Sequence, residues 1–253
     1  MPSWPCIRWS WRGLKAGTLA RVASARGELV LAPAADDSVA AGCAWLPMHW
    51  GSASLAQPGA NALTLPRVDP VSRQPALKQA AVSVHAAGLP WQAAWAAVAD
   101  DLDQAIGWRA ALQPWLARFG YAAATLSGRE RIVVSLRAAN AVPPDDALPA
   151  AVDAILGTDA VRAPLAFSDA QRGIVKRARV EEGRLLALRL AGEAAAFDWL
   201  ERMMLTGEPL DALRAWLFAP LTQAPGSAAA GAPRVICSCY GVEETRIAAE
   251  LAQ

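Results

Sequence analysis

The chain has 253 residues, long enough to bury a substantial hydrophobic core in one large domain or several small ones. Its 24 basic and 23 acidic residues give a formal net charge of +1, which argues against nucleic acid or an anionic membrane as a partner. The four cysteines (Cys6, Cys43, Cys237 and Cys239) are too few and too unevenly spaced for a secreted disulfide framework. Apolar runs are rich in Ala and broken by Pro, Gly or charged residues, so no transmembrane helix is predicted.

The first segment, residues 1–12, is out of character with the rest of the chain. It reads MPSWPCIRWSWR and lacks both the apolar stretch of a signal peptide and the adjacent arginines of a twin-arginine signal. An upstream frameshift or an arbitrary gene start would produce such a stretch. The alternative is a tryptophan-rich flap that packs on the first domain.

Residues 13–88 are predicted to form a β-rich domain. TLARVAS and ELVLA flank a turn at Ala25–Glu28, which is typical of a β-hairpin. A short apolar run, CAWLPM, and a final strand, AAVSVHA, enclose a long segment rich in Pro, Gly, Asn and Ser. Because long ordered loops often carry binding residues, this segment is the first place to look for a site.

Residues 89–222 are predicted to form a small α+β unit. A helix is expected from Trp91 to about Gly120, with a second short helix at 108–119 in which Pro114 must lie in the first turn or break the helix. The apolar stripe behind this expectation recurs at three- and four-residue spacing: Trp91, Trp95, Val98, Leu102 and Ile106.

The rest of this unit alternates between hairpins and helices. The patterns predict hairpins in ATLSGRERIVVSLRA and IVKRARVEEGRLLALRLAG, the second turning at Glu182 and Gly183. Helices are predicted for Asp145–Leu156, Phe197–Leu205 and Pro209–Phe218. Residues 223–233 follow as a Gly-, Ser-, Ala- and Pro-rich linker, and 234–253 begin a new small unit with a strand and a helix.

The segment from Leu46 to Val84 resembles the pterin-dinucleotide-binding domain that ends the catalytic subunits of nitrate reductases and formate dehydrogenases. The pattern has an aromatic pair, then Asn-x-Leu-Thr, Asp-Pro and a closing Lys before the last strand. In this chain those places are held by His49, Trp50, Asn61, Leu63, Thr64, Asp69, Pro70 and Lys78. The resemblance implies a mixed α+β multidomain fold with an N-terminal double-psi β-barrel, followed by the small α+β domain.

The resemblance also implies cofactor-binding roles for His49, Trp50, Asn61, Leu63, Thr64 and Lys78. An Asn carboxamide matches the donors and acceptors of a pterin or guanine edge, and hydroxyl and ammonium groups suit a pyrophosphate. The aromatic pair would stack on the cofactor or hydrogen-bond to it. Taken singly, each residue has a more ordinary interpretation, such as turn formation for the Asn and Asp residues or core packing for the Trp.

The C-terminal Cys237-Ser238-Cys239 places two thiols on one side of an extended strand, where both can face one metal. With the Tyr-Gly-Val that follows, it resembles the start of a bacterioferritin-associated-ferredoxin-like [2Fe-2S] domain, in which a second cysteine pair completes the site. Only 14 residues follow Cys239 and none is a cysteine, so Cys237 and Cys239 are assigned as ancestral ligands that hold no cluster here.

Together these features resemble the C-terminal part of an assimilatory nitrate reductase catalytic subunit. The implied cofactor is Mo-bis(molybdopterin guanine dinucleotide). Nitrate is the implied substrate, and a ferredoxin, a flavodoxin or an NADH-linked reductase the electron donor. The expected location is the cytoplasm, and neither nucleic acid nor membrane is expected as a partner. No catalytic residue is assigned, because the [4Fe-4S] cysteines and the molybdenum ligand of the family have no counterpart in this sequence.

This chain alone is therefore expected to be inactive. Three alternatives remain open: a non-catalytic molybdopterin-binding or electron-transfer module, a formate dehydrogenase-like fragment, and a decayed product with no function. The C-x-C tail argues against the second of these.

Overall fold

The computed structural model of the chain describes residues 6–9, 14, 17–36, 38–48, 50–75, 79–226, 235–237 and 242–251. The fold is mixed α and β. The described strands are β1 Cys6–Trp9, β2 Ala20–Ala23, β3 Glu28–Ala35, β4 Ala44–Trp45, β5 Ser83–Ala86, β6 Trp91–Ala99, β7 Tyr121–Ser127, β8 Ile132–Asn140, β9 Leu165–Asp169, β10 Ile174–Glu181, β11 Arg184–Ala191, β12 Val235–Cys237 and β13 Val242–Glu243. The helices are α1 Leu102–Leu116, α2 Ala147–Leu156, α3 Phe197–Thr206 and α4 Glu244–Leu251, with 3₁₀ helices at Ala60–Leu63 and Asp211–Trp216.

The first sheet has five strands in the order β4-β1-β3-β2-β5. The hairpin of β2 and β3 is confirmed, with Ala23 opposite Glu28. β5 pairs antiparallel with β2, so the predicted closing strand is confirmed as well. β1 pairs parallel with β3, which places the backbone of Cys6–Trp9, part of the out-of-character segment 1–12, inside this sheet.

The second sheet has six antiparallel strands in the order β7-β8-β6-β11-β10-β9. Both hairpins predicted in this region are confirmed, β7 with β8 and β10 with β11. The second turns at Glu182 and Gly183, whose φ angles of 50° and 72° are those of the tight turn that matches strand twist.

The predicted helix starting at Trp91 is wrong, because Trp91–Ala99 is the central strand β6. A spacing of four residues returns to the same face in a strand as well as in a helix, so Trp91 and Trp95 fit both patterns. Seven of the nine residues of β6 are buried, because both faces of the sheet are covered. Such a strand shows no alternation of apolar and polar residues, and its alanines favour a helix when read alone.

Helix α1 starts only at Leu102, where the Asp101 carboxylate accepts a hydrogen bond from the Gln104 backbone N–H at 2.8 Å. The separate short helix expected at 108–119 is part of α1. Pro114 neither starts nor breaks a helix here but lies in the last turn of α1, which ends two residues later at Leu116. A proline so close to the end costs little helical hydrogen bonding. The predicted helices at α2 and α3 are confirmed, and the last predicted helix is a 3₁₀ helix.

Each face of the second sheet carries its own apolar core. Helices α1 and α2 cover one face through Leu112, Leu116, Val152 and Leu156. On the other face, α3 and the first sheet pack into a single cluster that includes Leu29 and Leu188 with Phe197 and Leu200. The first sheet therefore shares a core with the unit formed by residues 89–222.

No helix among the described residues is long and apolar enough to cross a membrane.

Candidate functional site

The residues assigned to cofactor binding lie in the long segment between β4 and β5, which is anchored on the first sheet by Gln57. The Val30 backbone N–H donates to Gln57 Oε1 at 2.7 Å, and Gln57 Nε2 donates to the Val30 carbonyl at 3.0 Å. The side-chain amide thus takes the place of a neighbouring strand residue. Sequence reasoning missed this anchor, because one Gln in a polar loop carries no pattern.

The same segment is also anchored on the edge of the second sheet. Ala56 N–H donates to the Ala122 carbonyl at 3.0 Å, and Ala124 N–H donates to the Ser54 carbonyl at 2.8 Å. Leu55, which lies between these bonds opposite Ala123, is 1% exposed. Two anchors on two sheets hold the loop in one conformation, which a binding loop requires.

Gly59 brings two parts of the segment unusually close together. Its φ of 86° and ψ of −173° belong to a region that essentially only glycine occupies. A Cβ atom at this position would collide with the Trp50 backbone carbonyl. The Gly59 backbone therefore lies directly against Trp50 and Gly51. Trp50 is half-buried and packs against the core.

The 3₁₀ helix Ala60–Leu63 begins directly after Gly59 and presents the Asn-x-Leu-Thr residues. Asn61 is exposed, and its carboxamide makes no hydrogen bond to the part of the chain that the structure describes. Leu63 points the other way and is 6% exposed in the core. The Thr64 hydroxyl donates to the Asn61 carbonyl at 3.2 Å and retains its acceptor capacity.

Asp69 organises the next turn of the segment. Its Oδ1 accepts hydrogen bonds from the Val71 and Ser72 N–H groups, at 3.0 and 2.7 Å, and from the Ser72 hydroxyl at 2.9 Å. These bonds, led by the one from the Ser72 backbone, hold the pKa of the Asp69 carboxyl below its usual range. The ordinary interpretation, a turn former, is what the geometry shows for Asp69.

The structure describes only some of the other assigned residues. His49 and Lys78 lie outside the described residues, so their cofactor roles stay predictions. Cys237 ends β12, opposite Val242 in β13, while Cys239 lies outside the described residues. Within the described part of the chain, no group of three or more His, Cys, Asp or Glu side chains could hold a metal ion.

Residues 9–81 match the family model described as the Molydopterin dinucleotide binding domain. The match begins at the last residue of β1, takes in β2, β3 and β4 and ends before β5, and it includes Asn61, Leu63, Thr64 and Lys78. Comparisons with curated proteins and with solved structures gave no match. The family match supports a cofactor-binding module of the molybdopterin oxidoreductase type.

The described residues fit such a cofactor at Asn61. The exposed, unengaged carboxamide of Asn61 is available to pair with a heterocycle edge. Gly59 is buried with its backbone against the Trp50 carbonyl, so it shapes the segment that carries Asn61 and does not face a ligand. Leu63 is also buried, so its contribution is to seat the helix that carries Asn61.

Proposed function

We propose that this chain is the C-terminal cofactor-binding portion of a molybdenum oxidoreductase that reduces nitrate to nitrite. The observation that carries the proposal is the position of Asn61. Its carboxamide projects from a 3₁₀ helix that is anchored on two sheets, inside the segment that matches the dinucleotide-binding family. The first sheet of this unit is proposed to belong to a double-psi β-barrel.

The chain's own contribution is to bind and orient one end of the cofactor. Asn61 pairs with the guanine or pterin edge, and Thr64 and Lys78 bind the pyrophosphate. His49 and Trp50 stack on the cofactor or hydrogen-bond to it. The molybdenum centre of Mo-bis(molybdopterin guanine dinucleotide) supplies the redox chemistry when it is bound. A metal-ligating residue and an iron–sulfur relay would have to come from outside this chain.

The C-terminal C-x-C motif narrows the proposal to a nitrate reductase of the assimilatory type, which we expect to act in the cytoplasm. The electron donor is then a ferredoxin, a flavodoxin or an NADH-linked reductase. The hairpin of β12 and β13, followed by α4, agrees with the strand and helix expected around Cys237. We expect no [2Fe-2S] cluster in the chain, so visible cluster absorbance in the purified protein would contradict this part of the proposal.

Binding of a guanosine diphosphate carrying a fluorescent ribose group tests the proposal, since it reproduces the nucleotide half of the cofactor. We expect saturable binding to the full chain and about tenfold weaker binding to Asn61→Leu, because two hydrogen bonds are lost. Gln171→Leu, at an exposed amide of the second sheet, is the matched control and should bind like the wild type. Absence of saturable binding, or equal binding by both variants, would contradict the assignment of Asn61.

Two further observations separate the remaining alternatives. Purified chain should show no nitrate reduction with a reduced viologen donor, and measurable nitrite formation would overturn the expected inactivity. The nucleotide sequence upstream of the gene distinguishes a fragment from a stand-alone module. A coding sequence there with a [4Fe-4S] cysteine motif supports the fragment, whereas an intact unrelated gene supports the module.

A further inference from the structure

The two edge strands of the second sheet differ in how they are covered. At one edge, Ser54–Ala56 lies along β7 as a short additional strand that buries Leu55. At the opposite edge, β9 has no strand beside it in the described part of the chain. Exposed edges invite pairing, and proteins commonly protect them with charges, bulges or very short strands. β9 has five residues, carries no charge before Asp169, and pairs with β10 without a bulge.

The pairing pattern shows which backbone groups of β9 face outward. Antiparallel strands alternate between hydrogen-bonded and non-bonded pairs. The Gly192 N–H bond to the Gln92 carbonyl, at 2.9 Å, sets this alternation between β11 and β6. The registers of β11 with β10 and of β10 with β9 extend this alternation to the edge of the sheet, where Phe167 and Lys176 form a hydrogen-bonded pair. The N–H and C=O groups of Ala166 and Ser168 therefore point away from β10.

The bonds at the covered edge give the same result independently. Ala122 and Ala124 bond outward to the Ser54–Ala56 segment. Following the register from β7 through β8 to β6 then makes Ala94 a bonded partner of Leu190 in β11. This is the same alternation that the Gly192 bond requires, so the assignment of the outward-facing groups rests on two separate observations.

An apolar groove runs beside this edge. Phe167, 46% exposed, and Leu165 form one wall of a cavity of about 430 Å³. The opposite wall comes from the end of the Asp211–Trp216 helix and the residues after it: Arg214, Ala215, Leu217, Phe218 and Ala219. The buried Lys176, ion-paired with Glu193, donates to the Phe218 carbonyl at 2.9 Å and fixes that wall in place. The wall that carries Phe218 is therefore held by a buried contact.

The charges around the edge favour an acidic partner. Arg214 at the groove and Arg172 beyond the end of β9 have no ion-pair partner among the described residues. Asp169 accepts the Arg172 backbone N–H at 3.1 Å, and Arg162 is paired with Asp159. A second copy of this chain would bring its own Arg214 and Arg172 to the shared edge, where juxtaposed like charges are unfavourable.

We propose that β9 accepts an extended segment of another polypeptide as a seventh strand of the second sheet. Backbone groups of Ala166 and Ser168 form the ladder, and an apolar side chain of the partner enters the groove beside Phe167. Carboxylates of the partner lie near Arg214 and Arg172. Backbone pairing supplies the affinity, while the groove and the two arginines supply the specificity.

The test measures fluorescence anisotropy of two labelled peptides with the full chain, one reading Glu-Val-Leu-Val-Glu and the other Lys-Val-Leu-Val-Lys. We expect saturable binding of the acidic peptide and at least tenfold weaker binding of the basic one. Ser168→Pro removes an outward N–H and leaves the bonds to β10, so it should weaken binding about tenfold. Ser168→Ala is the matched control and should bind like the wild type.

Arg214→Glu should weaken the acidic peptide and strengthen the basic one. Thermal unfolding of each variant checks that the sheet is intact. Equal binding of both peptides, or unchanged binding by a folded Ser168→Pro variant, would overturn the proposal. Sedimentation that shows a dimer lost in Ser168→Pro would also overturn it, in favour of a second copy on the same edge.

Discussion

Replacing Asp153 with Ala should be among the most damaging single substitutions in the second unit. Asp153 lies on α2, is 2% exposed, and its Oδ1 accepts hydrogen bonds from Trp95 Nε1 at 2.9 Å and the Thr158 hydroxyl at 2.7 Å. Its Oδ2 accepts from the Arg189 guanidinium at 2.5 Å, and the Arg189 side chain is only 10% exposed. Asp153→Ala leaves this buried charge and two neutral donors without an acceptor, which should cost about 3–5 kcal/mol of unfolding free energy.

Urea unfolding, monitored by hydrogen–deuterium exchange in peptides that cover β6 and β11, measures the stability of this unit separately from the rest of the chain. With a dependence of about 2 kcal/mol per molar urea, the midpoint should fall by roughly 2 M. The double variant Asp153→Leu with Arg189→Met removes both charges but leaves Trp95 Nε1 and the Thr158 hydroxyl without their acceptor, so we expect it to recover part of the loss. A loss below about 1 kcal/mol for Asp153→Ala, or a double variant no more stable than the single one, would refute the reasoning.

Two further predictions concern the cofactor segment. Gly59→Ala should lower the unfolding free energy of the unit that contains the first sheet by at least about 2 kcal/mol, because left-handed strain adds to a backbone collision. Gly42→Ala, with a φ of 76° and open space, should cost about 1 kcal/mol in the same urea titration. The hydrogen bonds to Asp69 depress its folded pKa below the ordinary value of 3.8, so their stabilising effect is present above that pH and is lost as the pH falls through the folded pKa. Ser72→Ala should therefore raise the Asp69 pKa in a carboxyl-detected NMR titration, and an unchanged pKa would show that the backbone bonds act alone.

The hairpins could be predicted because their signals are local. In β10 and β11 the turn at Glu182 and Gly183 requires positive φ angles, and the residues of β10 and of the start of β11 alternate between buried and more exposed positions. Helix α2 could be predicted for the same reason, since Leu148, Val152 and Leu156 recur at four-residue spacing on its buried face and Gly157 ends it in a left-handed conformation. These elements depend on residues a few positions apart.

β6 could not be predicted in this way, because the strand depends on residues far away in the chain. Its partners β8 and β11 lie roughly 40 and 90 residues further along, and its two faces are buried by α1 and α2 on one side and by α3 with the first sheet on the other. Among so many alanines, the spacing of Trp91 and Trp95 carries no information that separates a strand from a helix.

For the candidate site, too, one part could be predicted from the sequence and another depended on the tertiary structure. The order of Asn61, Leu63 and Thr64 is a property of the sequence, and it was enough to suggest a dinucleotide-binding segment that the family match supports. Only the tertiary structure decided that Leu63 faces the core while the Asn61 carboxamide faces outward, because that depends on the conformation of Gly59 and on the Gln57 anchor to Val30. The residue types thus specify which chemistry is available, while the long-range packing determines which groups a ligand can reach.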